Sequence, residues 1–214
     1  MMNGLNYRHP VDQCACFTGH RFISSGNYPV IARKLYSILE ECYHDGYRFF
    51  YCGGALGFDT IASLMVIELR KNWPDMKLCL VLPCKDQDSR WSPDAKRKYL
   101  EIIGKADEVT VLADHYFHGC MHIRNQYMVT RSSLCISYLL PSVVGGGTWS
   151  TCIMAKNRGI PVINITSDEP PARMKEEKCC YTSTSPSAKG NVPTADLYLM
   201  STGTMKPKHI SRPY

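Results

Sequence analysis

Between residues 13 and 166 the apolar positions of this chain alternate between two kinds of pattern. Short runs rich in apolar and β-branched residues occur at 14–18, 48–52, 77–82, 108–112, 133–140 and 161–165. Between them lie segments with helical spacing. In Pro29–His44 the residues Ile31, Leu35, Ile38 and Cys42 recur at i, i+4, i+7 and i+11, which is one face of a helix. Gly46 follows as a stop signal. The segment 60–72 is apolar almost all round, through Ile61, Leu64, Met65, Ile67 and Leu69, and predicts a well-covered helix. A third helix, 93–104, opens on Ser92-Pro93-Asp94, a cap followed by proline in the first turn. Helices at 122–131 and 148–158 complete the set, the last closed by Gly159 and Pro161.

Strand and helix in strict alternation predict parallel βαβ units. The expected fold is α/β: a Rossmann-like, doubly wound, mostly parallel six-stranded sheet with helices on both faces. The expected strand order is 3-2-1-4-5-6, which sets the crevice beside the loops after strands one and four. Residues 1–12 read as an N-terminal extension and 13–166 as the domain. Residues 167–214 are rich in Ser, Thr, Pro, Gly and Lys without an amphipathic period, and read as a mostly disordered tail.

Composition narrows the class. Of 214 residues, 44% are hydrophobic and 21% charged, a globular balance. The formal charge of +6 is dispersed without a long basic run, so it suggests a nucleic-acid partner only weakly and suits an anionic small ligand equally well; nucleic acid is not the expected partner. Eleven cysteines are an odd number in a long chain, and the first ten residues are polar rather than a leader. Many cysteines sit inside apolar runs, as buried thiols do in a reducing compartment, so a cytoplasmic location is expected. No stretch has the length of a membrane span.

In an open parallel sheet the ligand lies beyond the carboxyl ends of the strands, so the segments after the strands carry the chemistry. The first is Thr18-Gly19-His20-Arg21: Gly19 permits close backbone approach, and Arg21 offers a planar fork for phosphate or carboxylate. Read blandly, it is a turn with a solvated arginine. The second is Gly53-Gly54-Ala55-Leu56-Gly57-Phe58-Asp59, a glycine loop before a helix. Asp59 is either a helix cap or an acceptor for a ribose hydroxyl. The third contains Arg90-Trp91, a charge with a stacking face for a base, or equally a tryptophan that pins the loop.

After the fourth strand come His115, His118, Cys120 and His122, whose spacing matches no zinc pattern; no metal and no cofactor are expected. Arg124, Asn125 and Arg131 follow, the two arginines seven residues apart on one helix face. The fifth segment, Gly145-Gly146-Gly147-Thr148, opens a helix. Its free N–H groups and helix dipole favour phosphate, and Thr148 adds a hydroxyl. No G-x-S-x-G, G-x-x-x-x-G-K-[ST] or G-x-G-x-x-G motif occurs, which counts against serine hydrolases, P-loop ATPases and conventional dinucleotide oxidoreductases.

Taken in order, several segments together resemble the YpsA/YoqJ-like group of the SLOG superfamily, Rossmann-like proteins related to the Lonely Guy enzymes and to DprA. They are Thr18–Arg21, Gly53–Asp59, Leu82-Pro83-Cys84 with Gln87 and Trp91, Arg124-Asn125 with Tyr127-Met128-Val129, Arg131-Ser132-Ser133, and Gly146-Gly147-Thr148. The resemblance spans about residues 13–166. It implies a bacterial or phage protein with a pocket for a nucleotide or nucleotide derivative, and a homodimer as a candidate assembly. Lonely Guy enzymes cleave the N-glycosidic bond of nucleoside monophosphates with two glutamates. The corresponding positions here are Ile123 and Thr151. An oxocarbenium-like centre calls for a carboxylate, so the resemblance implies phosphate grip without committed catalytic residues. The leading reading is binding or sensing of a nucleotide-derived small molecule. The alternative is a phosphoribohydrolase using Asp59 and Arg124, and a third reading is DprA-like binding of single-stranded DNA.

Overall fold

The computed structural model describes residues 8–166. Both the tail and the first seven residues of the extension read from the sequence lie outside them. Six strands follow the chain: β1 (Cys14–Gly19), β2 (Phe49–Cys52), β3 (Lys77–Leu82), β4 (Glu108–Val111), β5 (Leu134–Tyr138) and β6 (Val162–Asn164). Five helices separate them: α1 (Tyr28–His44), α2 (Phe58–Leu69), α3 (Pro93–Lys105), α4 (Cys120–Thr130) and α5 (Gly146–Asn157). Every strand pair is parallel, as the alternation of elements predicts.

The strand order is β4-β3-β2-β1-β5-β6. This corrects the expected 3-2-1-4-5-6: β4 lies outside β3 at the sheet edge, and β5 takes the place beside β1. The chain therefore steps outward through β1, β2, β3 and β4, then crosses back to β5. The order reverses between β1 and β5, the position at which an open parallel sheet offers a crevice to a ligand.

Because strand side chains alternate between faces, the sheet divides its core in two. Ala15 and Phe17, Phe50 and Cys52, Leu78, Leu80 and Leu82, and Leu134 and Ile136 pack with α1, α2 and α3. Cys14, Cys16, Tyr51, Cys79, Val81 and Cys135 pack on the other face with Met128 and Val129 of α4 and Ala155 of α5. The cysteines behave as the apolar runs imply: all nine in the described residues are free and buried. Among those residues no helix is long and apolar enough to cross a membrane.

Candidate functional site

The two loops at the switch point are bridged by one histidine. His20, just past β1, donates its backbone N–H to the Tyr138 carbonyl (3.3 Å) at the end of β5. Its ring Nε2 accepts from the Leu140 N–H at 3.0 Å. The ring is thus neutral with its proton on Nδ1, and burial lowers its pKa, which favours that state. His20 ties the loops after β1 and β5 together, so the structure gives it a bracing role beside the crevice.

The loop after β2 closes against the same turn. The Phe58 N–H donates to the His20 carbonyl at 3.1 Å. Gly57 has a φ of +76°, and a Cβ there would fall 2.4 Å from the carbonyl oxygens of both His20 and Arg21. At Gly19 a Cβ would fall 2.4 Å from Phe58 Cβ. These two glycines serve the packing of loop on loop. Gly53 serves something else: a Cβ there would lie 1.5 Å from Nη1 of Arg124. The guanidinium rests directly on the Gly53 backbone.

Beneath that loop lies a buried ion pair. Arg124 Nη1 stands 3.8 Å from Asp59 Oδ2, with side chains only 7% and 6% exposed. Asp59, in the first turn of α2, accepts from the Ala55 N–H at 3.1 Å. Burial pushes its carboxyl up, with Arg124 the strongest opposing influence. Burial likewise pulls the Arg124 pKa down, and Asp59 opposes it. Both partners agree in sign: desolvation outweighs their attraction, as expected for a buried pair.

From Arg124 a relay runs to the glycine loop. Arg124 Nε donates to Asn125 Oδ1 at 2.7 Å, and Asn125 Nδ2 donates to Thr151 Oγ1 at 2.8 Å. The Thr151 hydroxyl donates to the Gly147 carbonyl at 2.7 Å. Gly145 caps α5 without any side-chain hydrogen bond to its first turn. Around Gly145, Gly146 and Gly147 the Cβ directions are open, and Gly146 and Gly147 are exposed, so no side chain competes for the first-turn N–H groups. At the other end of the relay, Arg124 Nη1 is buried with no hydrogen-bond partner among the described residues. An always-charged donor in that state is costly, and such costs concentrate at functional sites.

The structure therefore brings together Gly19, His20, Gly53, Gly54, Asp59, Arg124, Asn125 and the Gly145–Thr148 loop. Arg21 stands exposed at the rim, directly after His20. Trp91 packs edge-on against Tyr99 (5.0 Å between centroids), and Gln87 bridges the Tyr99 hydroxyl and the Gly54 carbonyl. The indole packs the loop after β3 onto Tyr99 of α3. Arg131 is not brought to the site. It caps the carboxyl end of α4, with its guanidinium 3.7 Å over the Tyr127 ring, while Ser133 bonds to Cys14 at the start of β1. It belongs to the opposite end of the sheet. His115, His118 and His122 are exposed, whereas Cys120 is buried.

Thr151 and Gln87 carry no signal in the loop sequences taken one at a time, yet both bond into the site. Thr151 lies one turn past Gly147, the spacing at which a threonine hydroxyl reaches the i−4 carbonyl.

The YpsA family model, described as the YspA SLOG family, matches residues 23–142. That span holds the β2 loop and α4 but stops short of the Gly145–Thr148 loop. The chain is 31% identical over 118 residues to the SPbeta prophage-derived protein YoqJ of Bacillus subtilis, covering 49% of this chain and 68% of YoqJ. It is 28% identical over 102 residues to a UPF0398 protein of Halalkalibacterium halodurans, covering 47% of this chain and 52% of that protein. It therefore spans about half the length of the latter relative. Among solved structures, DNA processing protein A of Helicobacter pylori, described for its single-stranded DNA binding mode, superposes with a TM-score of 0.50 at 18% identity. That alignment covers 71% of this chain and 64% of the other, and shows a shared fold. The chain belongs to the YpsA SLOG family.

Proposed function

We propose that the chain binds a nucleotide or nucleotide-derived phosphate ligand in the crevice between the β1 and β5 loops, as a binding or sensing module. One observation carries this reading: Arg124, whose buried Nη1 makes no hydrogen bond, is linked through Asn125 and Thr151 to the uncapped amino end of α5. A phosphate at the helix end that draws the guanidinium off Gly53 would satisfy both, taking a charge-assisted bond from Arg124 and N–H bonds from the helix end. Arg21 adds an exposed positive charge at the rim. Family membership supports a nucleotide-related ligand at this general level.

Turnover is not favoured. Asp59 already accepts from Ala55 and faces Arg124. At the two positions where Lonely Guy enzymes place glutamate, Ile123 is exposed and Thr151 is spent in the relay. The test is mass spectrometry of small molecules released from the denatured protein, followed by titration with the matching nucleoside monophosphate. Arg124→Ala is expected to weaken binding about tenfold or more, given roughly 1.5–3 kcal/mol per charge-assisted bond. The ligand should be recovered intact. Release of free base, lost in Asp59→Asn, replaces this reading with a hydrolase.

A second reading has one observation in its favour. Phe22 after β1, Tyr116 and Phe117 after β4, and Trp149 in the first turn of α5 are all exposed. They lie on segments at the carboxyl end of the sheet, where single-stranded nucleic acid would stack its bases. Binding of an oligothymidylate that strengthens with strand length and weakens steeply with salt, with no competition from mononucleotides, selects this reading.

A further inference from the structure

At the amino end of the sheet, away from the crevice, three potential metal ligands converge. Cys79 of β3 and Glu108 of β4 are direct partners in the strand register. Their side chains therefore leave the sheet on the same face. His9, from the segment before β1, lies over them, its ring stacked on Phe49 at 3.7 Å and 13°. The ligating atoms of His9, Cys79 and Glu108 all lie within 4.8 Å of one another, and they are the one such group among the described residues.

We infer that His9, Cys79 and Glu108 form a site for a zinc-like transition-metal ion that pins the segment before β1 to the β3–β4 edge. The contact between His9 and Glu108 distinguishes this from an ordinary ion pair. Nε2 stands 3.0 Å from Glu108 Oε1. Yet this buried nitrogen makes no hydrogen bond, because the carboxylate does not lie along the ring N–H direction. Two atoms set side by side at this distance suit ligands sharing a central ion. With Zn–N and Zn–O bonds of about 2.0–2.2 Å, tetrahedral N and O ligands stand about 3.4 Å apart.

The surroundings support the arrangement. Arg8 Nη1 donates to the other carboxylate oxygen, Oε2, at 3.1 Å, which orients Oε1 toward His9. The Phe49 stack fixes the imidazole plane. Outer partners of this kind hold metal ligands in place. The donor set of one thiolate, one imidazole and one carboxylate selects zinc or cobalt over calcium or magnesium, which take oxygen ligands. Three protein ligands leave a fourth position for water. Binding deprotonates Cys79 and releases that proton to solvent; no oxidation state changes.

The test is titration of Co2+ into the metal-stripped full-length chain under a phosphine reductant. One equivalent is expected to give the near-ultraviolet thiolate-to-cobalt band and the strong visible bands of tetrahedral cobalt. Cys79→Ser should abolish the thiolate band, whereas His118→Ala and Cys120→Ser should leave it unchanged. His9→Ala should weaken binding at least about tenfold, since loss of an outer partner alone costs roughly 10–100-fold. Zinc should raise the Tm of the wild type but not of His9→Ala. Absence of the band at one equivalent overturns the inference, as does a band that survives Cys79→Ser in a chain with native circular dichroism. If Cys79→Ser does not fold, His9→Ala and Glu108→Gln decide: undiminished affinity in both overturns it.

Discussion

Arg124 and Asp59 face each other across 3.8 Å in a place where burial disfavours the charge on both. The pair is asymmetric, because a carboxylate can take up a proton and a guanidinium effectively cannot lose one. Asp59→Ala strands a buried cation and should cost about 3–5 kcal/mol, the range for breaking a buried pair. Arg124→Ala leaves a carboxyl whose pKa burial already raises, so that it can shed its charge by taking up a proton, and that keeps the Ala55 bond; it should cost about 1–3 kcal/mol. The sign of the pH effect follows. Without Arg124 the folded-state pKa of Asp59 rises further above its unfolded value of 3.8. The folded state then binds the proton more tightly, so Arg124→Ala should recover stability relative to wild type as pH falls through that raised pKa toward 3.8. Urea denaturation of both variants at neutral and mildly acidic pH checks the ranking and the sign.

Two glycine substitutions separate the parts of the site. A Cβ at Gly147 would meet nothing within 4 Å. Gly147→Val should keep the native melting temperature while blocking the approach of phosphate to the α5 N–H groups. Gly53→Ala places its methyl on the Arg124 guanidinium, 1.5 Å from Nη1. It should displace that side chain, lowering both stability and affinity. Equal loss of stability in the two variants would contradict this division.

Thr151 explains how α5 feels the state of Arg124. Thr151→Val keeps the volume but removes the hydroxyl that accepts from Asn125 and donates to the Gly147 carbonyl. The Asn125 amide then loses a buried partner, at about 1–3 kcal/mol. Ligand affinity should fall as well, because Asn125 is what holds Arg124 Nε. A stability loss with unchanged affinity would show that the relay is structural only.

The elements are legible because each is written in local periodicity: Ile31, Leu35, Ile38 and Cys42 all prove buried on α1. Strand order is not, since neighbours along the chain do not encode neighbours in space. A trace of the answer does exist in β4. Glu108-Val109-Thr110-Val111 alternates polar and apolar, and its valines are exposed, as suits an edge strand rather than a central one covered on both faces. Arg131 misleads for a similar reason. Seven residues return a helix to the same face but advance it about 10 Å along its axis, which carries Arg131 away from the carboxyl ends of the strands. The glycines after β2 do mark a loop of close approach. What approaches Gly53, however, is Arg124, 71 residues later in the chain, and no local pattern shows that. The convergence of His9, Cys79 and Glu108 is equally nonlocal.

His20 makes the crevice sensitive to acid. Its Nε2 must be unprotonated to accept from the Leu140 N–H. Charging the ring replaces that acceptor with a second donor and sets two N–H groups against each other. Burial lowers the folded pKa below the ordinary 6.5, so the unfolded chain binds the proton first as pH falls. Stability rises with pH wherever the unfolded state binds more protons. The His20 contribution is therefore complete above pH 6.5 and is lost as pH drops below it. His20→Gln offers an amide oxygen in place of Nε2 that accepts at every pH. The other six histidines are common to both proteins, so the difference between them isolates His20. Between about pH 7.5 and about pH 5 the melting temperature of the wild type should fall more steeply than that of His20→Gln. The affinity difference should follow the same course, because this bond joins the turn bearing Arg21 to the segment leading into Gly145–Thr148. Parallel melting curves across that range would mean that the bond between the two loops carries no titrating load.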